Sequence, residues 1–389
     1  MAKAEQYGPG QIPALTGVRA LAAFLVFFHH HPTKVLEMGP LLIWWELHVG
    51  VTLFFVLSGF VITWRYDRRG PRRESFLRGY FVNRFARIYP LYFVLVVPVM
   101  LVYGVRSWRA WALNLTVFSH LENGIPQAWS LRVEECFYLS APFLFLLWRK
   151  RPILPLVAAV LVVGALYPVA MANAMPKAVG TPTNMFIYTF PGRFFEFYCG
   201  MWLAKRVART GPAESPARKF PVWTLAGLAG IVAVVAALAT IHYETKHAYA
   251  YGLYHPAGVA LNNLVLPVFI AAFYWGLIRE RSVLRWILST RIANLLGRSS
   301  YAFYLIHTGP PLALFMAVTV AGAGRFGPAS AAAASSLLLG SVAVRFLYVT
   351  VLSIALYKAI EMPANRFIRR RFAAPREAPA PIPETAALT

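Results

Sequence analysis

Charge is what this sequence has least of. Only 14% of its 389 residues are charged while 58% are hydrophobic, against about a quarter charged in an ordinary soluble domain. That scarcity excludes a water-soluble globular protein. Acids are scarcer still, with 15 Asp and Glu against 38 Lys and Arg. In a soluble chain the formal charge of +23 would suggest nucleic acid. Here the basic residues stand in short clusters between long apolar runs, so a nucleic-acid partner is excluded and a lipid bilayer takes its place. Cysteine is nearly missing: Cys136 and Cys199 lie far apart in apolar surroundings. They form neither a metal-ligand spacing nor a disulfide framework, and no metal site is expected. Strict polar–apolar alternation is also lacking, which removes a membrane β-barrel and leaves helices.

What is there reads as an all-α, polytopic integral membrane protein. A span needs about 20 apolar residues, and ten are predicted near 13–31, 48–65, 88–105, 135–148, 152–170, 186–204, 221–241, 258–278, 300–322 and 338–359. The fourth is short and polar at its start, so a tilted, broken or re-entrant helix is expected there. The first carries Arg19 and no cleavage pattern, and reads as retained. Lys and Arg accumulate in cytoplasmic loops. Twenty-eight of the 38 fall in alternate loops and the two ends, seven in the intervening loops, and Arg19, Arg193 and Arg345 within spans. This places both termini in the cytoplasm and the protein in the plasma or inner membrane. One membrane domain covers 1–371. An Ala/Pro-rich tail, 372–389, and the loop 210–221 are expected to be disordered. No internal repeat stands out, and no appended soluble domain is expected.

An arginine or lysine at a helix centre costs about 2.5–3.5 kcal/mol to insert, so ionisable residues within spans are functional candidates. Arg19 and His30 project from one face of the first span, about 16 Å apart along its axis. The alternative is that Arg19 snorkels and His30 marks the outer boundary. His29 and His31 point elsewhere and are expected as interfacial or loop residues. Ser58 and Gly59 lie near mid-membrane, where small residues admit another backbone or a ligand. Arg84 and Arg87 share a face and suit phosphates, although positive-inside anchoring explains most of their cluster. Glu134 and Glu135 open the fourth span; one suits the helix dipole, and Glu134 shares a face with Tyr138. Arg193 and Glu196, at i, i+3, are either site residues or a self-contained ion pair. Ser300, Tyr304 and His307 form one stripe, with His307 about 10 Å from the inner edge. In depth, His307 and Arg19 are expected in the inner half, Ser58, Arg193 and Glu196 in the middle, and His30 and Glu134 towards the outer face.

Taken in order, these residues resemble the type 3 membrane acyltransferase family. The resemblance is carried by Leu15-Thr16-Gly17-Val18-Arg19-Ala20 with His30, the stretch Phe54 to Phe60, and the arginine pair before Tyr89-Pro90. Trp129-Ser130-Leu131 with Glu134, Phe137 and Tyr138, then Ser300-Tyr301 with Tyr304 and His307, and finally Glu361-Met362-Pro363 continue it. It runs from about residue 13 to 371. It implies a ten-helix enzyme moving an acyl group from acyl-CoA, most commonly acetyl-CoA, to a hydroxyl. Implied acceptors are surface glycans, lipid-linked sugars and secreted macrolide-type metabolites, and no cofactor is held permanently. Arg19 and His30 match the family's arginine–histidine motif and Glu134 its acidic position. Thr16 and Thr52 stand where many members have aspartate, so no acid–base role falls on them. The esterase-like domain of some polysaccharide-modifying members is not expected.

The expected chemistry follows from an imidazole that titrates near neutrality. His30 is the candidate general base, and Glu134 would orient it or bind a sugar hydroxyl. Arg19 would bind the donor or stabilise an oxyanion, and Arg84 and Arg87 would anchor its phosphates. Ser58, Arg193, Glu196, Tyr304 and His307 are the remaining candidates for substrate contact. A covalent acyl-enzyme is a second route. The competing class is a transporter of a solute or of the acyl group, against which stands the lack of paired interrupted helices in matching halves.

Overall fold

Each long apolar run winds into a helix because only a helix closes its backbone hydrogen bonds without a partner strand. The structure, a computed structural model, describes residues 12–32, 42–67, 74–116, 125–176, 178–210 and 220–372. The disorder expected for the tail and for most of the 210–221 loop concerns residues outside these. No β-strand occurs among the described residues. Seven helices are long and apolar enough to cross a membrane, or eight if one bent pair is a single span. The chain is a multi-pass membrane protein.

In chain order the helices are α1 (Pro13–His30), α2 (Gly50–Tyr66), α3 (Glu74–Val102), α4 (Trp108–Leu115), α5 (Ala128–Lys150), α6 (Leu154–Met171), α7 (Pro182–Tyr188) and α8 (Phe190–Thr210). There follow α9 (Val222–Thr245), α10 (Pro256–Arg279), α11 (Val283–Leu288), α12 (Arg291–Ile306), α13 (Gly309–Gly324), α14 (Pro328–Gly340) and α15 (Val342–Phe372). A 3₁₀ segment, Leu42–Val49, leads into α2. Short π-helical turns interrupt α10 at Leu261–Val265 and α15 at Tyr357–Glu361.

Three expectations are corrected here. The helix predicted from 88 begins at Glu74, so Arg78, Arg84 and Arg87 are helical residues; nothing in Glu74 to Tyr89 breaks a helix. The fourth predicted span is neither short nor re-entrant: α5 is an unbroken 23-residue helix. The span predicted at 300–322 is two helices meeting at 95°. Its break falls at His307-Thr308, and Gly309 follows with φ 71, a left-handed conformation that glycine adopts without a Cβ clash.

Helix α1 lies at the centre. Its apolar faces are shared by the two main core clusters, one gathering α2, α3, α5 and α12 and the other α2, α8, α9 and α10. Helix α6 is peripheral, with only 11% of its residues buried, as expected where lipid is the solvent. Glycines set the closest crossings: Gly59 of α2 and Gly200 of α8 each press against the other helix's backbone, and this seam fixes the position of Ser58.

Candidate active site

Three consecutive histidines end α1, and each has a different neighbour. His30 Nδ1 lies 2.9 Å from its own helix's Val26 carbonyl, which can only accept, so the nitrogen carries the proton. The same N–H faces His307 Nε2 at 3.3 Å. His30 Nε2 is therefore the unprotonated nitrogen, and His30 lines a cavity of about 400 Å3. His307 is presented by the break after α12. Its Nδ1–H donates to the Tyr304 carbonyl at 2.6 Å, which leaves Nε2 free to accept from His30. His31 holds the other side of the break: its Nε2–H donates to the His307 carbonyl at 2.8 Å, and its Nδ1 accepts from Arg345 at 3.0 Å. Burial keeps this imidazole, just past α1, at about 4, so it is neutral near pH 7.

Helices α4, α5 and α7 build the rest of the cavity. Trp129 meets Tyr188 edge-to-face at 4.9 Å, and Arg132 donates to the Tyr188 carbonyl at 3.2 Å. Two side-chain amide oxygens on the wall, Asn114 Oδ1 and Gln127 Oε1, are buried without a hydrogen-bond partner among the described residues. Gln127 uses its Nε2 on the carbonyls of Leu305 and Thr308, at 2.6 and 3.1 Å. The wall is thus aromatic, carries a cation, and offers free acceptors.

A second polar group lies deeper. Tyr304, one turn before His307, bonds Ser130 at 2.7 Å. One turn along α5 from Ser130, Glu134 accepts from the hydroxyls of both Ser58 and Tyr138. Arg84 lies 5.3 Å from the Tyr138 ring and 5.6 Å from that of Tyr66. Arg19 donates to Ser300 at 3.4 Å and lies 5.9 Å from the Phe54 ring. The groups form one interior lane: His30, His307, Tyr304 and Ser130, then Ser58, Glu134, Tyr138 and Arg84.

Several expected placements change. His307 does not lie apart from His30, as their expected depths had it; the two touch, because α12 starts at Arg291 and not at residue 300. Fifteen or so residues of helix therefore precede it, about 24 Å of rise. Glu134 is not the partner of His30, which is His307; α5 begins at Ala128, so Glu134 sits nearly two turns inside it. Arg87 is held in an ion pair with Glu361 and lies 5.5 Å from the Tyr301 ring. Arg193 and Glu196 form the self-contained pair, 2.8 Å apart and almost fully buried, with Arg193 also donating to Thr52 at 3.1 Å. Thr52 in turn donates to Asn262 in the α10 π-turn, so this network ties three helices together. His29 and His31 are buried, not interfacial, because the 3₁₀ segment and α15 cover them.

Sequence reading passed over Gln127, Asn114 and a buried carboxylate, Glu46, and placed Arg345 in a span without assigning it a role. Glu46 bonds His48 at 2.8 Å, His242 at 3.1 Å and the Gly252 amide at 2.8 Å, and His48 lies 5.5 Å from His29. Gln127 stands two residues before Trp129 and could have been flagged as a polar residue opening a span. Only His48 among the partners of Glu46 is local; His242 and Gly252 are some 200 residues away, so nothing in the local sequence marks this carboxylate as buried.

Residues 12–358 match the acyltransferase domain family. The peptidoglycan O-acetyltransferase OatA of Listeria monocytogenes is 27% identical over 340 residues, covering 79% of this chain and 50% of OatA. The chain thus corresponds to half the length of that relative. The acyltransferase MdmB of Streptomyces mycarofaciens is 28% identical over 405 residues, covering 93% of each. Nodulation protein 10 of Rhizobium leguminosarum bv. viciae is 30% identical over 167 residues, 34% of this chain and 44% of its own. No solved structure matches.

Proposed function

The chain belongs to the acyltransferase domain family, and from that premise we propose that it is a membrane O-acyltransferase. It would move an acetyl or other short acyl group from acyl-CoA to a hydroxyl of a sugar, glycan or secreted metabolite. Family membership decides for an enzyme over the transporter alternative. The single observation that carries the reading is the His30 imidazole, whose Nδ1–H is committed to Val26 and whose Nε2 is left as a base on the cavity.

His30 Nε2 takes the proton of the acceptor hydroxyl as its oxygen bonds to the thioester carbon. The carbonyl electron pair moves onto oxygen, and the positive charge of Arg132 on the cavity wall stabilises it. The carbonyl then re-forms, the C–S bond breaks with its pair on sulfur, and the thiolate takes the proton from His30. While charged, His30 donates its Nδ1–H to Val26 and His307. Asn114 and Gln127 offer oxygens to the acceptor's remaining hydroxyls. The aromatic wall of Trp129 and Tyr188 suits a sugar ring or a macrocycle. Arg19, about 16 Å from His30 along α1, is too far for the reacting carbon and belongs to the donor's path. Along that path Arg84 Nε and the Thr63 hydroxyl are buried without an acceptor among the described residues, and are available to the donor's amide or phosphate oxygens. No bound cofactor is required.

The topology we propose is ten spans. The seven apolar helices and the bent α12–α13 pair are joined by α5 and α8, which are long enough but carry more charge. Both termini and the Arg84 end then face the cytoplasm of a plasma or inner membrane, and the His30 cavity opens on the opposite side. The test is transfer of label from acetyl-CoA to hydroxyl acceptors by purified protein in nanodiscs. His30→Ala is expected to lower kcat by about 10²–10⁴; full turnover by a folded His30→Ala protein would sink the general-base role.

A further inference from the structure

At the Arg84 end lies a cavity that the chemistry above does not use. It holds about 540 Å3 and is lined chiefly by Trp148 and Arg149 of α5 and by Lys205 and Arg209 of α8. Two of its three cations are tied to the fold. Asp67, just past α2, binds Lys205 through its carboxylate and Arg149 through its backbone carbonyl. Lys205 is also held 5.9 Å from the Trp148 ring. One carboxylate against three cations leaves the cavity positive. Arginines that only anchor a membrane surface need no such fixed geometry. Asp67 follows Tyr66, the ring beside Arg84, so this cavity adjoins the inner end of the polar lane.

We infer that this cavity binds the nucleotide end of the acyl donor, with phosphates on Arg149, Lys205 and Arg209. The inference rests on the proposed acyl-CoA donor. Phosphates need cations, and Arg87, already paired with Glu361, is committed elsewhere. Arginine presents a planar fork to phosphate oxygens and lysine a point charge. Trp148 lies fourteen residues from Glu134 on α5, about 21 Å at 1.5 Å per residue. An extended pantetheine arm leaving the cavity therefore runs past Arg84 and Tyr138 to the Glu134 level. Ser130, one turn further, bonds Tyr304 next to His307.

The same chemistry would hold the phosphate of a lipid headgroup, and the experiment separates the two. Full-length protein in phosphatidylcholine nanodiscs is titrated with 3′,5′-ADP, and the ratio of kcat/KM for acetyl-CoA over S-acetylpantetheine is measured. Arg209→Gln, at an exposed position, is expected to weaken 3′,5′-ADP about tenfold and to lower that ratio about tenfold, the loss of one charge-assisted contact; Arg209→Lys should recover part of both. An unchanged ratio and unchanged 3′,5′-ADP affinity in Arg209→Gln overturn the inference. So does retention of phosphatidylglycerol in mixed nanodiscs without competition by 3′,5′-ADP, which would make this a lipid site. A wild-type protein that binds 3′,5′-ADP through Arg209 yet transfers nothing from acetyl-CoA would instead sink the donor reaction and leave the nucleotide site standing.

Discussion

Replacing Gly200 with alanine adds one methyl group at the place where α8 crosses α2. The new Cβ would lie 2.0 Å from the Val56 carbonyl oxygen, 2.6 Å from the Phe60 nitrogen and 3.0 Å from the Gly59 carbonyl carbon. All three are backbone atoms, so no rotamer change can relieve the contact. Non-bonded carbon contacts are comfortable from about 3.5 Å, so the helices must part locally by about 1.5 Å. The Phe55–Phe197 stack, with centroids 4.8 Å apart, and the Arg193–Thr52 bond lie on the same seam and would open with it. Overpacking of a core costs about 1–3 kcal/mol, and a backbone-to-backbone clash belongs at the upper end, so a loss of about 3 kcal/mol is expected. Gly164→Ala is the matched control. Its Cβ meets nothing within 4 Å, and alanine should gain up to about 1 kcal/mol of helix propensity. Thermal unfolding in one detergent, followed by fluorescence-detected size exclusion, reads both. If Gly200→Ala matched wild type, or both variants moved the same way, the close-crossing argument would be wrong.

Three further outcomes are expected. His307→Ala removes the group facing the His30 Nδ1–H and should lower kcat by about 10-fold to 100-fold, the range for a partner that orients an imidazole, while donor KM stays near wild type; an unchanged kcat in steady-state assays removes His307 from the site. Glu134→Gln keeps an oxygen for Ser58 and Tyr138 but removes the carboxylate from the lane, and should cost about 1–3 kcal/mol of stability together with a raised donor KM; thermal melts and initial rates check it. His31 titrates at about 4 in the folded protein against 6.5 for the free imidazole, so the unfolded state takes up its proton first. The stability it contributes is whole above about pH 6.5 and is lost as pH falls towards 4, and melts between those limits should slope less steeply in His31→Gln than in wild type.

Much of this molecule was legible in its sequence because the bilayer leaves few choices. Apolar length gave the helices, and the faces shared by Arg19 and His30 and by Ser300, Tyr304 and His307 follow from helical spacing. Depth was less legible, since it depends on where a helix begins. α12 starts nine residues earlier than expected because Arg291 to Arg298, polar by composition, still wind into helix behind the Thr290 cap, which accepts from the Ala293 amide. That shift alone moves His307 from one end of the site to the other. The choice between site residue and internal ion pair for Arg193 and Glu196 could not be made from spacing, because i, i+3 serves both. Long-range partners such as Glu46 with His242, or Arg345 with His31, leave no trace in local sequence.

The break after α12 explains why the base sits where it does. A helix ending in the packed interior exposes its last carbonyls to surroundings that cannot solvate them. Here those carbonyls are met by side chains of the site itself: Tyr304 by His307, Leu305 and Thr308 by Gln127, and His307 by His31. The groups that satisfy the helix end are thereby locked in place for catalysis, and the strain of ending a helix there is converted into preorganisation. Helix α1 also ends at His30, so two helix carboxyl termini converge on one imidazole. Each terminus carries a partial negative charge and favours a nearby cation by about 0.3–1 kcal/mol, and up to about 2 kcal/mol when partly buried. An imidazole that must become positive during acyl transfer gains from both, whereas one that only filled space would gain nothing from such a site.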